Sequence, residues 1–227
     1  MQSTQYEIEI KSLLGNDDSA RVFRTTLVER YPEVSFGPVE TQLNHYFEGG
    51  DPHAVIEKVV PYVSEEEGTR LTKIATEGNN ISVRTREVAG TARFIMKASV
   101  GDDSSSNGVA RAEVDIEISY VSLEELDGLV LSAGYTYQAK WSRSRESLEI
   151  ENTTICLDRN AGYGYLVEFE RVVDDAQHIE DTKRELERLM AELGTKELPQ
   201  ERLERMFAHY NANWAEYYGT DKVFTIE

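Results

Sequence analysis

The sequence predicts an α+β protein whose core is an antiparallel sheet closed on itself, charged within and covered outside by helices. Three observations carry this expectation. Two Glu-x-Glu strands lie far apart, Glu7 and Glu9 in YEIEIK and Glu168 and Glu170 in YLVEFERV. The strands between them each have one apolar and one charged side, because side chains alternate across a strand. Strand patterns dominate the middle of the chain and helical patterns its end, the order expected when helices pack on an antiparallel sheet.

The elements follow in chain order. Residues 5–14 read as a strand. SARVFRTTLVERYP reads as an amphipathic helix with Val22, Phe23, Leu27 and Val28 inward, stopped before Pro32. VETQLNHYFE is a strand turned by Gly49-Gly50. DPHAVIEKVVPYV is a short helix with Pro52 at its first position. Ser64-Glu65-Glu66-Glu67 is a capping box for a helix running to about Thr76. Strands at 81–88 and 91–99 follow, then a polar loop, GDDSSSNG, and a strand at 110–119. Ser122-Leu-Glu-Glu starts another helix, ending near Gly134. Strands at 135–150, 153–159 and 163–172 complete the set, and two strong helices form the tail. Residues 1–175 are expected to form the sheet domain and 176–227 a helical extension packed on it.

The charged strand faces are specific. Arg84 and Arg86 oppose Ile81 and Val83, and Arg93 and Lys97 oppose Phe94 and Met96. Arg111, Glu113, Asp115 and Glu117 share one face, and Arg143 and Arg145 share another. An ordinary sheet with one wet face explains any one of these strands. It does not explain a graded set of Arg and Lys with acids gathered on particular strands, which a charged interior does. Four carboxylates on two converging strands repel unless a cation lies between them. Carboxylate oxygens suit hard cations, so Mg²⁺ or Mn²⁺ is the expected cofactor.

Composition narrows the function. The chain of 227 residues carries 24 basic and 42 acidic residues, a formal net charge of −18. That balance argues against a DNA binder, which needs a basic footprint. No stretch approaches the ~20 apolar residues of a membrane span. The N-terminus lacks the basic and apolar regions of a secretion signal, so a cytoplasmic location is expected. The single cysteine, Cys156, reads as a small buried hydrophobe, and the four scattered histidines as surface or packing residues. A basic interior inside an acidic shell suits a small anionic ligand. No P-loop, dinucleotide fingerprint or nucleophile motif is present.

The ordered set Glu7-x-Glu9-x-Lys11, Arg84-x-Arg86, Lys97, Arg111-x-Glu113, Arg143-x-Arg145, Asp158 and Glu168-x-Glu170 resembles the CYTH superfamily, the triphosphate tunnel metalloenzymes. NHYFE resembles the family's second strand, with Asn44 in place of a frequent Asp, and LDRNAGYGYLVEFE resembles its closing motif. The resemblance runs from Glu7 to about Val172. It implies an eight-stranded antiparallel β tunnel holding a triphosphate and one or two divalent metals.

The resemblance further implies that Glu7, Glu9, Glu168 and Glu170 hold the metal. Lys11, Arg84, Arg86, Lys97, Arg111, Arg143, Arg145 and Asp158 would bind the substrate, and Glu113, Asp115 and Lys11 would serve the chemistry. Lys140 ranks lower, since strand parity turns it from Arg143 unless a bulge intervenes. Asp158 has a rival role, binding backbone amides of the Gly162–Gly164 turn. The expected activity is hydrolysis of a small triphosphate, with bare tripolyphosphate preferred to ATP because no base-reading set is evident. The alternatives are a class IV adenylate cyclase, a thiamine triphosphatase with Trp141 or Tyr46 as an aromatic cradle, and a non-catalytic polyphosphate- or nucleotide-binding module. A homodimer is left open.

Overall fold

The computed structural model describes residues 6–99 and 110–226, with the side chains of 110 and 111 excluded. The GDDSSSNG segment lies outside the described residues. Eight antiparallel strands and six α-helices form an α+β fold. The strands are β1 (Tyr6–Gly15), β2 (Glu40–Glu48), β3 (Asn79–Val88), β4 (Thr91–Ser99), β5 (Ala110–Glu117), β6 (Thr136–Ile150), β7 (Thr153–Asn160) and β8 (Gly164–Val173). Their spatial order is β1-β5-β4-β3-β2-β6-β7-β8, and β1 also pairs with β8. The β1–β8 ladder is long. At the β1–β5 seam the described residues contribute two register pairs, Glu7 with Arg111 and Ile8 with Ala110.

The helices are α1 (Asp17–Arg30), α2 (Pro52–Val59), α3 (Glu65–Glu77), α4 (Leu123–Ser132), α5 (Ile179–Glu192) and α6 (Gln200–Tyr217). Their starts follow the local chemistry. The Asn16 side chain accepts from the Ser19 amide, and Asp51 from the His53 amide with Pro52 behind it. Ser64 with Glu67 and Ser122 with Glu125 form reciprocal capping boxes, as their sequences predict. In each box the amide and hydroxyl bonds from Ser hold the Glu carboxyl below its usual value. The α1 helix departs from expectation in its face. Phe23 and Leu27 are buried with Ala20, whereas Val22 and Val28 are exposed. One 3.6-period stripe satisfies the sheet, and the two valines lie to either side of it.

The apolar strand faces point outward and pack beneath the helices. Val83, Phe94, Met96, Val114 and Ile116 lie under α2, α3 and α4 with Val55, Leu71 and Leu126. Ile8, Ile10, Ile155, Val167 and Phe169 lie under α1 and α5 with Phe23, Leu27, Leu186 and Met190. A third cluster joins α6 through Leu203, Met206 and Tyr210 to Tyr163 and Leu166. Gly162 makes this approach feasible. Its φ is +91°, and a Cβ there would run into the Tyr210 ring. The segment after α6 is stitched to the same turn, with the Gly162 amide donating to the Lys222 carbonyl and the Phe224 amide to that of Gly162. No helix among the described residues is long and apolar enough to cross a membrane.

Candidate active site

Because hydrophobic burial takes the outer strand faces, the alternating charged residues are forced to the inside. They line a cavity of about 470 Å³. Glu7, Glu9 and Lys11 of β1 meet Glu168 and Glu170 of β8, with Glu9 registered opposite Glu170 and Lys11 opposite Glu168. Arg84 and Arg86 of β3, Lys97 of β4, Glu113 and Asp115 of β5, and Arg143 and Arg145 of β6 complete the charged wall. Arg111 lies opposite Glu7 and Ser99 in the backbone register, and its side chain lies outside the described atoms.

Three of the four expected metal ligands converge. Glu7, Glu9 and Glu170 each offer an oxygen within 4.8 Å of the others. Burial, with the neighbouring charges of Glu168 and Glu7, pushes the Glu170 carboxyl up to about 7. Burial also raises Glu7, which hydrogen-bonds Glu113. Three partly buried carboxylates this close fit a hard divalent cation. Glu168 is used differently. It is fixed by a very close Arg145 contact, with Arg143 Nη1 at 3.9 Å and Lys11 Nζ at 3.8 Å. Burial opposes its ionisation, but Arg145, Lys11 and Arg143 hold it well below the ordinary carboxylate range.

Asp158 also departs from expectation. It is fully buried and does not line the cavity. It accepts two bonds from Arg145, at 2.7 Å each, and one from Arg143 Nη1 at 2.6 Å. Its place is thus beneath the arginines, orienting them, and the turn that follows is held instead by Asn160 Nδ2 donating to the Gly164 carbonyl at 3.3 Å. Gln42 and Asn44 orient other arginines. Arg143 Nε donates to Gln42 at 2.8 Å and Arg86 Nε to Asn44 at 2.6 Å. An Asn in place of the family's frequent Asp therefore still serves as an acceptor here.

The candidate catalytic groups are differently committed. Lys97 Nζ lies 2.5 Å from Glu113 and 3.0 Å from Glu7. Burial raises the Glu113 carboxyl, yet Lys97, the hydrogen bond with Glu7 and the charge of Arg84 together hold it low. Asp115 is bridged by Arg93 at 2.7 Å and Arg86 at 3.5 Å. Lys11 pairs with Glu9 as well as Glu168. Glu117 is an exposed strand end, paired with Arg93. Among the described residues Arg84 has no carboxylate within 4 Å. It donates to Ser82 Oγ at 3.0 Å and lies 4.5 Å above the Tyr46 ring, with the Tyr46 hydroxyl 3.4 Å from Nη1. Burial raises that phenol, but Arg84, Arg143 and Arg86 together lower it.

Strand parity places Lys140 correctly outside. The β2–β6 register shifts between Tyr46 and Phe47, pairing them with Ala139 and Tyr137 and leaving Gln138 as an extra residue that lines the cavity. Lys140 lies beyond that bulge and approaches Asp127 at 3.9 Å on the outer face. There His45, buried and read from sequence as packing, joins a network. Its Nδ1 is 2.7 Å from Asp127 and its Nε2 2.8 Å from the Tyr218 hydroxyl. Cys156 is buried, and its burial pushes the thiol up to about 12. The sequence reading also leaves out Tyr163, and Leu203, Phe207 and Asn211 of α6, all of which line the cavity. No strand-like alternation could signal the helix residues.

The CYTH domain sequence profile matches residues 71–202. The chain belongs to the CYTH family. No curated protein matches it in sequence. Similar folds include PH1819 of Pyrococcus horikoshii OT3, at 21% identity and TM-score 0.61, covering 88% of this chain and 99% of that one. A proposed adenylate cyclase from Vibrio parahaemolyticus, at 16% identity and TM-score 0.60, covers 90% and 98%. HpAC1 of Hippeastrum, proposed as an adenylyl cyclase and described as having a dominant triphosphatase activity, shares 14% identity at TM-score 0.51 over 89% and 96%. At these identities the likeness concerns the fold. The family profile ends within the first turn of α6, and Phe207 and Asn211 lie beyond the residues it matches.

Proposed function

We propose that this chain is a divalent-metal-dependent hydrolase of small triphosphates bound inside the sheet. The observation that carries the reading is the three-carboxylate cluster of Glu7, Glu9 and Glu170 set in the same cavity as Arg84, Arg86, Lys97, Arg143 and Arg145. Simple polyanion binding would need only the cations, and the carboxylates would weaken it. Glu7, Glu9 and Glu170 would hold Mg²⁺ or Mn²⁺, which when bound supplies neutralisation of phosphate charge. The triphosphatase activity described for HpAC1 agrees with this reading.

The chain's own residues account for the rest. Arginine forks bridge pairs of phosphate oxygens, and Asp158, Gln42 and Asn44 pre-orient three of them, so little side-chain freedom is lost on binding. Arg84, with no carboxylate within 4 Å among the described residues, is the cation we take to be most available to an incoming phosphate. Glu113, kept ionised by Lys97, is suited to accept a proton from an attacking water as its oxygen bonds to phosphorus and the bridging P–O bond breaks. Asp115 acts through Arg86 and Arg93 as a positioning group. Phosphate release should be assayed on tripolyphosphate, ATP, thiamine triphosphate and pyrophosphate with Mg²⁺ or Mn²⁺, and cyclic AMP followed in parallel. Metal-dependent orthophosphate release from a triphosphate is expected. Cleavage of none of them at saturating metal, or cyclic AMP as the main product of ATP, would overturn the assignment.

A further inference from the structure

The cations of the cavity fall into two kinds by what holds them. The arginines are braced from behind. Arg143 and Arg145 rest on Asp158, which is fully buried and lies outside the cavity lining. Arg86 and Arg143 donate through Nε to Asn44 and Gln42, and Arg84 leans on Ser82 and the Tyr46 ring. None of these braces belongs to the three-carboxylate cluster, which Arg145 approaches only at 4.0 Å, from Nη1 to Glu170.

The two lysines are held by the cluster itself, and in the same way. Each spans one carboxylate of the cluster and one outside it. Lys97 Nζ lies 3.0 Å from Glu7 and 2.5 Å from Glu113. Lys11 Nζ is closely paired with Glu9 and lies 3.8 Å from Glu168. The Lys97 side chain is only 9% exposed, so it is wedged between its two acids and does not reach for solvent. An ammonium and a divalent ion make the same demand on a carboxylate. Crowded onto one cluster they repel, the more so in a low-dielectric interior. The arginine forks are pinned by fixed acceptors and cannot step aside. Lysine is a point charge with rotatable donors on a flexible four-carbon stem, so it can turn without moving the backbone.

Building on the metal-dependent reading above, we infer that Lys97 and Lys11 are place-holders for the divalent ion. Each neutralises one cluster carboxylate in the metal-free protein and releases it when the ion arrives. Each then turns about its second carboxylate, Glu113 or Glu168, to face the phosphates. In the metal-free protein both ammoniums are spent on Glu7 and Glu9, so the cavity holds anions weakly. Metal and triphosphate therefore bind cooperatively, and the lysines carry part of that coupling in addition to any direct metal–phosphate contact.

The test reads binding and not turnover. In the Mn²⁺-loaded parent, crystallised without phosphate, Lys97 Nζ is expected beyond about 4 Å from Glu7 and Lys11 Nζ likewise from Glu9. Calorimetry gives the energetic counterpart, with bis(methylene)triphosphonate as an uncleavable triphosphate. Lys97→Met should bind Mn²⁺ alone about tenfold more tightly than the parent. The gain in triphosphonate affinity on saturation with Mn²⁺ should be about tenfold smaller in Lys97→Met than in the parent. Arg84→Met removes a cation with no carboxylate within 4 Å among the described residues. It should weaken the triphosphonate equally with and without Mn²⁺ and leave Mn²⁺ affinity unchanged. The complex that Mn²⁺ forms with triphosphonate in free solution is common to all three proteins and cancels from the comparison. Mn²⁺ bound at the cluster with either lysine still on its carboxylate, or a coupling equal in all three proteins, overturns the inference and leaves the metal-dependent reading intact. No Mn²⁺ at Glu7, Glu9 and Glu170 overturns both.

Discussion

Glu9 and Glu170 stand directly opposite one another in the β1–β8 ladder, both inward, and share a three-carboxylate cluster with Glu7. Like charges in opposed positions destabilise a sheet. On the metal-dependent reading proposed above, the pair weakens the metal-free fold in return for a cation site. Glu170→Gln should raise the thermal stability of metal-free protein, by about 1–2 kcal/mol, and abolish the rise in Tm that Mn²⁺ produces. Thermal denaturation with and without EDTA checks both. An unaltered Mn²⁺ response in the variant would remove Glu170 from the metal site.

The same cluster sets a pH dependence. The folded Glu170 carboxyl sits at about 7, above its unfolded value, and Glu7 is raised too. Between the ordinary carboxylate range and pH ~7 the folded state binds more protons than the unfolded one. Its stability should therefore fall as pH rises through that window, by up to about 3 kcal/mol. Glu168 and Glu113, held low, act in the opposite sense, but only below the ordinary carboxylate range. Saturating Mg²⁺ should flatten or reverse the trend, since its ligands must be deprotonated. Melting curves from about pH 5 to about pH 8 test this, and metal-free stability that climbs steadily with pH would contradict it.

Asp158 is the buried anion on which two arginines rest. Asp158→Asn should cost about 3–5 kcal/mol, because it leaves Arg143 and Arg145 with less compensation in a low-dielectric interior. Denaturant unfolding measures the loss. A cost below about 1 kcal/mol would indicate that the arginines relax into solvent.

Arg84 predicts the reverse separation of effects. It has Tyr46 and Ser82 as partners and no acid within 4 Å among the described residues. Arg84→Ala should change stability by less than about 1 kcal/mol while lowering affinity for tripolyphosphate by tenfold or more. Arg145→Ala should damage both, since it strips Glu168 and Asp158 of the nearer of their two shared cations and leaves Arg143 alone between them. Ligand titration alongside unfolding distinguishes the two arginines, and matching profiles would refute the distinction.

Much of this was legible because a strand's period of two leaves no freedom. Once Ile8, Ile10, Val167 and Phe169 go outward, Glu7, Glu9, Glu168 and Glu170 must go inward together. Parity likewise separates Lys140 from Arg143. What parity does not decide is how inward neighbours share their charges. Glu168 and Glu170 are two residues apart on one strand, yet Arg145 reaches the first closely enough to take it from the cluster. The resemblance implies a substrate contact for Asp158, but the broad arginine side chains of Arg143 and Arg145 cover it. The α6 lining was hidden for another reason. A helix that fills one end of a sheet shows only an apolar stripe, and Phe207 in the site looks like Met206 in the core.

The pairing of β1 with β8 also has a bearing on biosynthesis. Glu7 and Glu9 leave the ribosome early, and Glu170 only after every other strand has been made. The carboxylate cluster is thus assembled across the longest loop closure in the sheet, the kind of contact that costs most chain entropy. A nascent chain holding seven strands would carry the arginine-lined wall but no complete carboxylate cluster. Until the eighth strand docks, the chain carries its inward cations ahead of the carboxylates that the proposed chemistry requires.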